Sequence, residues 1–161
     1  MAFLRFLLLL ALAVWLGALI FFTVVAATAF GALPTPHLAG LVVRGSLLKL
    51  HWMGFGCGVV FLASSLIYDQ GALGRARAFA VSHILIVTML ALTAISQFEI
   101  IPRMETLRIA AGEINALAIA DPSRLEFESL HAWSTRVEGA VLVLGIILLY
   151  ATSRRLASTR P

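Results

Sequence analysis

Only one cysteine, Cys57, occurs in the 161 residues. That excludes an intramolecular disulfide and a multi-cysteine metal centre, and the residue reads as a small buried apolar side chain. Charge is almost as scarce. Asp, Glu, Lys and Arg make up 12% of the chain, about half the usual share of a soluble domain. So few charges cannot clothe a water-soluble globule, and 61% hydrophobic residues exclude a disordered chain. There is no internal repeat, low-complexity tract or compositional break, so residues 1–161 read as one domain. No C-x-x-C-H motif, no histidine pair at ligand spacing on one helix and no nucleophile–base–orienter set is present. No metal site and no enzymatic activity are therefore expected. Gly54, Gly56 and Gly58 alternate, but no strand precedes them and no Lys-Ser/Thr follows, which excludes a phosphate loop. The net charge of +4 and pI near 10.2 would suit nucleic acid on a globule. In a chain with a mean hydropathy of +1.00, basic residues flank buried helices instead, and no nucleic-acid partner is expected.

What is present is apolar length. Between Arg5 and Arg44 no charged residue occurs. The run from Phe6 to about Phe30 exceeds the ~20 residues that a membrane-spanning helix needs and the apolar core of a signal peptide. It therefore reads as a retained span despite the cleavage-like Ala27-Thr28-Ala29, with Gly31 and Pro34 ending it. Thr35-Pro36 has the form of an N-cap followed by proline at the first helical position. The second helix starts there, with His37 in its loop or first turn. It spans about 48–68 and is predicted to stop at Asp69-Gln70-Gly71. A third span covers about 78–100, and its helical pattern continues through Met104, Leu107, Ala111 and Ile114. Pro102 lies within it, predicting a kink or a break. Asp121-Pro122 is a second cap-plus-proline signal, opening a helix that spans about 132–152 and closes at Arg154-Arg155. The expected fold is all-α: an integral membrane four-helix antiparallel bundle, with helices two, three and four extending beyond the bilayer on one side. Gly17, Gly54 and Gly58 are expected at close helix contacts. Trp52, Trp133, Tyr68 and Tyr150 lie near span ends, where an interfacial aromatic belt would sit, and Trp15 packs more deeply between helices.

Four spans place both termini and the second connection on one side. That side holds Arg5, Arg75, Arg77, Arg154, Arg155 and Arg160 against Asp69 alone, a net +5. The other side holds Arg44, Lys49, Arg103, Arg108, Arg124 and Arg136 against seven acidic residues, a net −1. The two counts of Lys and Arg are equal, so the orientation with both termini in the cytoplasm, across a bacterial inner membrane, is only a lean.

The unusual polar residues gather at the mixed-charge end. His51 enters helix two there, Gln97, Glu99 and Arg103 leave helix three, and His131, Thr135, Arg136 and Glu138 enter helix four. His131, Thr135 and Glu138 follow i, i+4, i+7 and share one face. Ionisable groups at the edge of hydrocarbon are costly unless paired or hydrated. The candidate polar cluster is thus His51, Gln97, Glu99, Arg103, His131 and Glu138. Its structural alternative is local pairing, Glu99 with Arg103 and Arg136 with Glu138, which would lock the bundle ends. His51 and His131 lie on the same side and could in principle ligate haem or chlorophyll, although no cofactor is predicted.

Several of these residues form a pattern. Trp15-Leu16-Gly17-Ala18-Leu19-Ile20-Phe21-Phe22, Pro102-Arg103 and Leu130-His131-x-x-Ser134 together resemble the transmembrane protein 205-like family, in the same order and across nearly the whole chain. The resemblance implies a four-helix membrane domain with no established activity. Members often carry Asn where Glu138 stands here, and Asn just before the Pro-Arg pair, where this chain has Ser96 and Gln97. Two functions follow. The first is a non-enzymatic accessory or structural subunit of a larger membrane complex, respiratory or photosynthetic, contacting lipid, pigment and other membrane chains. The alternative is an oligomeric transporter or permeability factor for a small solute or metal ion, using the polar cluster.

Overall fold

A computed structural model describes residues 1–74 and 81–158, apart from the side chains of residues 72, 73 and 158. Among them no strand occurs. The chain runs α1 (Ala2–Ala32), α2 (Pro36–Leu73), α3 (Val81–Ile95), a π-turn (Ser96–Ile100), α4 (Ile101–Ala111), a 3₁₀ turn (Ile114–Ala116) and α5 (Pro122–Ser158). Because α3, the π-turn and α4 are continuous, four helices are long and apolar enough to cross a membrane. The all-helical membrane bundle expected from the sequence is the fold found. Arg75, Arg77 and Arg160, on which the charge asymmetry partly rests, lie outside the described residues, as does the expected start of the third span.

Local chemistry sets the helix starts. The Thr35 hydroxyl accepts from the Leu38 amide at 3.3 Å, with Pro36 at the first helical position. Asp121 Oδ1 accepts from the Ser123 amide at 2.8 Å, and Pro122 again opens the helix. Both devices satisfy amides that a helix cannot satisfy itself. His37 lies within the first turn of α2 rather than in a loop. With 38 and 37 residues, α2 and α5 are about 57 and 55 Å long at 1.5 Å per residue. A hydrocarbon layer is about 30 Å thick, so both project well beyond it.

Two boundaries differ from expectation. Asp69-Gln70-Gly71 does not stop α2. The helix continues to Leu73, and Gly74 ends it in the left-handed region at φ 68°, a conformation that only glycine adopts without cost. Asp69 is instead wholly buried, because an ion pair inside the bundle engages it. The second difference concerns Pro102, where a kink or a break is expected: of the two, the break is not found, and the disturbance precedes the proline, where the Ile101 amide donates to the Ser96 carbonyl, five residues back. Proline has no N–H and its ring crowds the carbonyl four residues earlier. One wider turn just upstream relieves that crowding and lets the helix continue.

The core gathers Leu8, Leu12, Trp15, Leu16 and Leu19 of α1 against Leu47, Leu50 and Phe61 of α2, Ile86 and Met89 of α3, and Val141 and Leu148 of α5. Glycines set the closest approaches. A Cβ on Gly54 would lie 2.7 Å from Trp15 Nε1, one on Gly58 2.5 Å from Leu90 Cδ2, and one on Gly145 2.5 Å from Leu16 Cδ2. Gly17, expected in this role, faces open space, because it lies on the outer side of α1. Gly145 fills the role unannounced by any small-residue pair. Trp15 is fully buried and rigid, so Gly54→Ala is expected to cost about 1–3 kcal/mol through overpacking. Gly17→Ala should be neutral or slightly stabilising. Thermal unfolding in detergent, followed by circular dichroism, separates the two; equal midpoints would refute the packing assignment.

Trp52, Trp133 and Tyr150 are exposed on the outer surface, but Tyr68 is buried and does not belong to a belt. Arg5 Nε donates to its hydroxyl at 3.1 Å, and the Arg5 and Arg155 guanidiniums lie 5.5 and 5.6 Å from its ring centre.

Candidate functional site

The mixed-charge end contains a chain of three side chains from three different helical segments. His51 of α2 is 1% exposed. Its Nδ1 lies 2.8 Å from Gln97 Oε1 of the π-turn, and its Nε2 lies 2.7 Å from Glu138 Oε1 of α5. The π-turn matters to this geometry, since it carries buried Ser96 and Gln97 toward the bundle and leaves Phe98 and Glu99 outside. Proton bookkeeping follows from the contacts. Nδ1 donates to the Gln97 carbonyl oxygen, so the short Nε2–Oε1 contact holds one proton: imidazolium with carboxylate, or imidazole with carboxylic acid. In either form the pair has no net charge, which is how an ionisable pair survives at this depth. Both ring nitrogens are engaged, so His51 offers no lone pair to a haem iron or a chlorophyll magnesium.

Beside this chain lies a cavity of about 690 Å³, within the size range of small-molecule sites. Apolar side chains line it from every span: Leu19, Phe22, Ala26 and Phe30 of α1, Val43 and Leu47 of α2, Ile101 and Met104 of α4, and Phe127 and Leu142 of α5. Beyond Leu19 only Ala29 of α1 is buried, so this half of the helix is not sealed into the core. The polar lining has two groups. Arg44 Nε stands 3.1 Å from Glu105 Oε2, and Arg108 holds the same carboxylate with bonds of 2.7–3.0 Å. The second group, from α5, is His131, Ser134, Thr135 and Glu138. Two guanidiniums on one carboxylate leave an excess positive charge. Glu128, also in the lining, is matched by Arg124 at 2.9 Å.

The six residues of the sequence-based cluster are thus sorted. His51, Gln97 and Glu138 meet. His131 lines the cavity without joining them, and the Thr135 hydroxyl donates to its carbonyl at 3.0 Å. Glu99 and Arg103 face outward, 65% and 67% exposed, and pair with each other at 3.6 Å. Arg136 does not pair with Glu138; it stacks over Trp133 at 5.3 Å. Arg44, Glu105 and Arg108 were not anticipated as site residues. Their mixed charges looked like an ordinary interfacial band, and Arg44 is separated from the other two by more than half the α2–α4 sequence. The only available hint was the i,i+3 spacing of Glu105 and Arg108. Among the described residues no cluster of three or more His, Cys, Asp or Glu has metal-binding geometry.

These features define a class: a four-helix membrane bundle with a buried amide–imidazole–carboxylate chain beside an amphiphilic cavity. The chain belongs to the family described as a domain of unknown function (DUF4149), whose match covers residues 10–113. That range includes His51 and Gln97 but ends before Glu138. No curated protein matches, and no solved structure matches.

Proposed function

We propose that this protein is a non-enzymatic membrane subunit that binds an amphiphilic molecule at one bilayer face. The observation that supports this reading is the mixed apolar and polar lining of the cavity. An apolar strip from α1 suits a tail, and Arg44, Arg108, His131 and Glu138 suit a polar head. No activated nucleophile converges on it, and His51 is committed to structural hydrogen bonds, so binding rather than catalysis is favoured. Kinship with the transmembrane protein 205-like family, an accessory role in a larger complex, a bacterial inner-membrane location and cytoplasmic termini belong to the same reading. The alternative, an oligomeric transporter, draws on one observation: the cavity reaches from an exposed rim to a proton-bearing pair.

Filling the cavity tests the proposal. Gly40 and Gly139 line it, and a Cβ on either meets nothing within 4 Å. Gly40→Leu with Gly139→Leu is expected to reduce binding of a pyrene-labelled alkyl amphiphile at least tenfold while leaving the thermal midpoint unchanged. Mass spectrometry of mild-detergent preparations should detect an amphiphile retained by the native chain and lost from the variant. Equal binding by both proteins would refute the site. A lone monodisperse 17.3 kDa species in such preparations would refute the accessory-subunit role.

A further inference from the structure

Resting on that reading, we infer that the bound amphiphile is an acyl-chain lipid of the surrounding leaflet, and that it enters sideways through a slot between α1 and α5.

The slot follows from the register of two antiparallel helices. Leu16 of α1 packs on Gly145 of α5, where a Cβ on the glycine would lie 2.5 Å from Leu16 Cδ2. Equal steps along both helices from that contact bring Leu19 level with Leu142, Thr23 with Glu138, Ala26 with Thr135 and Phe30 with His131. All eight line the cavity, so beyond Leu16 it separates two helices that touch below. Small side chains leave the gap: Thr23 and Ala26 on one side, Ser134, Thr135 and Gly139 on the other. A Cβ on Gly139 would meet nothing within 4 Å. The edges of the slot are exposed, at Thr23 and Phe30 of α1 and at His131, Thr135 and Gly139 of α5. The last three follow i, i+4, i+8 and form one stripe along the helix. Deeper in the lining, Leu47 and Ile101 are buried, which closes the cavity toward α2 and α4.

Depth selects the occupant. Trp133 is exposed and marks the interface on α5. Gly139 and Leu142 lie about 9 and 14 Å further into the membrane, at 1.5 Å per residue. A slot open sideways at that depth meets acyl chains, not water. One such chain covers the lining of α1 from Leu19 to Phe30 and restores the dispersion contacts that an empty gap forfeits. Arg44 stands on the outer side of the interface, about 12 Å from Trp52 along the same helix. A head group that reaches Arg44 and Arg108 is thus drawn part-way out of its leaflet. The rival route is the projecting end, where Pro36, Asn115 and Glu128 also line the cavity and are exposed.

The test uses the full chain in nanodiscs containing a phosphatidylcholine with a diazirine on one acyl chain. Cys57→Ala removes the native thiol, and Thr23→Cys with Gly139→Cys lets a bismaleimide bridge the slot. Leu47 is buried and lines the cavity, so a photo-adduct there reports lipid inside. The unbridged chain should carry that adduct. Bridging before the labelled lipid is supplied should reduce it at least tenfold. Bridging afterwards should trap the lipid and keep the adduct through exchange into unlabelled nanodiscs. Ala13→Cys with Ile146→Cys, exposed on the same two helices below the Leu16–Gly145 contact, allows a bridge that does not cross the slot; it should leave labelling within twofold of the native level. Equal labelling with the slot bridged beforehand puts entry at the projecting end and overturns the inference, while lipid binding stands. Loss of the adduct whichever order is used shows that the bridge fills space rather than closing a passage, and also overturns it. No Leu47 adduct in the native chain, with the pyrene-labelled amphiphile still bound, overturns the lipid assignment and leaves the site. Loss of both removes the underlying site.

Discussion

Replacing His51 with alanine is expected to lower the unfolding free energy by about 3–5 kcal/mol. The loss has three sources. A nearly inaccessible imidazole is removed from a packed interior, and a void remains. Gln97 loses the donor at its carbonyl oxygen, 2.8 Å away. Glu138 loses the group that neutralises it at 2.7 Å, leaving an ionisable side chain at depth without compensation. Removing both charged ends should be far milder, since a buried pair contributes little net stability against apolar replacements. His51→Ala with Glu138→Leu should therefore recover much of the stability. Thermal unfolding of the single and double variants in detergent gives the comparison. A single variant within 1 kcal/mol of the native protein would show that the chain of hydrogen bonds is not an internal one.

At the opposite end, Arg155→Met is expected to cost a similar 3–5 kcal/mol. Asp69 of α2 is fully buried and forms an ion pair with Arg155 of α5. Arg155 also donates to Ser65 at 3.3 Å and stacks against Tyr68, whose hydroxyl accepts from Arg5 of α1. This network ties three helices together. Helices in lipid gain no hydrophobic advantage from apolar contacts, so the polar tie fixes which helix ends meet. Taking away the guanidinium strands the Asp69 carboxylate. Asp69→Leu with Arg155→Met removes both charges and should be more stable than Arg155→Met alone. Chemical or thermal unfolding of the two variants gives the ordering, and the reverse order would refute the tie.

The two polar centres differ in how far the sequence revealed them. The i, i+4, i+7 pattern of His131, Thr135 and Glu138 placed all three on one side of α5, and all three line the cavity. The Glu99–Arg103 pair was also legible, because i,i+4 partners meet whatever the rest of the fold does. The Asp69–Arg155 tie was hidden, since a carboxylate before Gln-Gly reads as a helix stop and Arg154-Arg155 reads as the cations that close a helix end. Only the burial of Asp69 reverses that interpretation.

Composition and periodicity by themselves determined the membrane setting, the four spans, the caps at Thr35 and Asp121 and one of the two ends where polar groups gather. Those are properties of single segments: length, hydropathy and the amides of a helix end. Tertiary structure alone decided the partners. Gln97 and Glu99 lie two residues apart, yet one meets His51 and the other faces outward. Which of them turns inward depends on how the third span is rotated about its own axis. That rotation is set by the π-turn before Pro102 and by the contacts of Leu90 at Gly58 and Met89 at Gly145, which only the packed helices specify together.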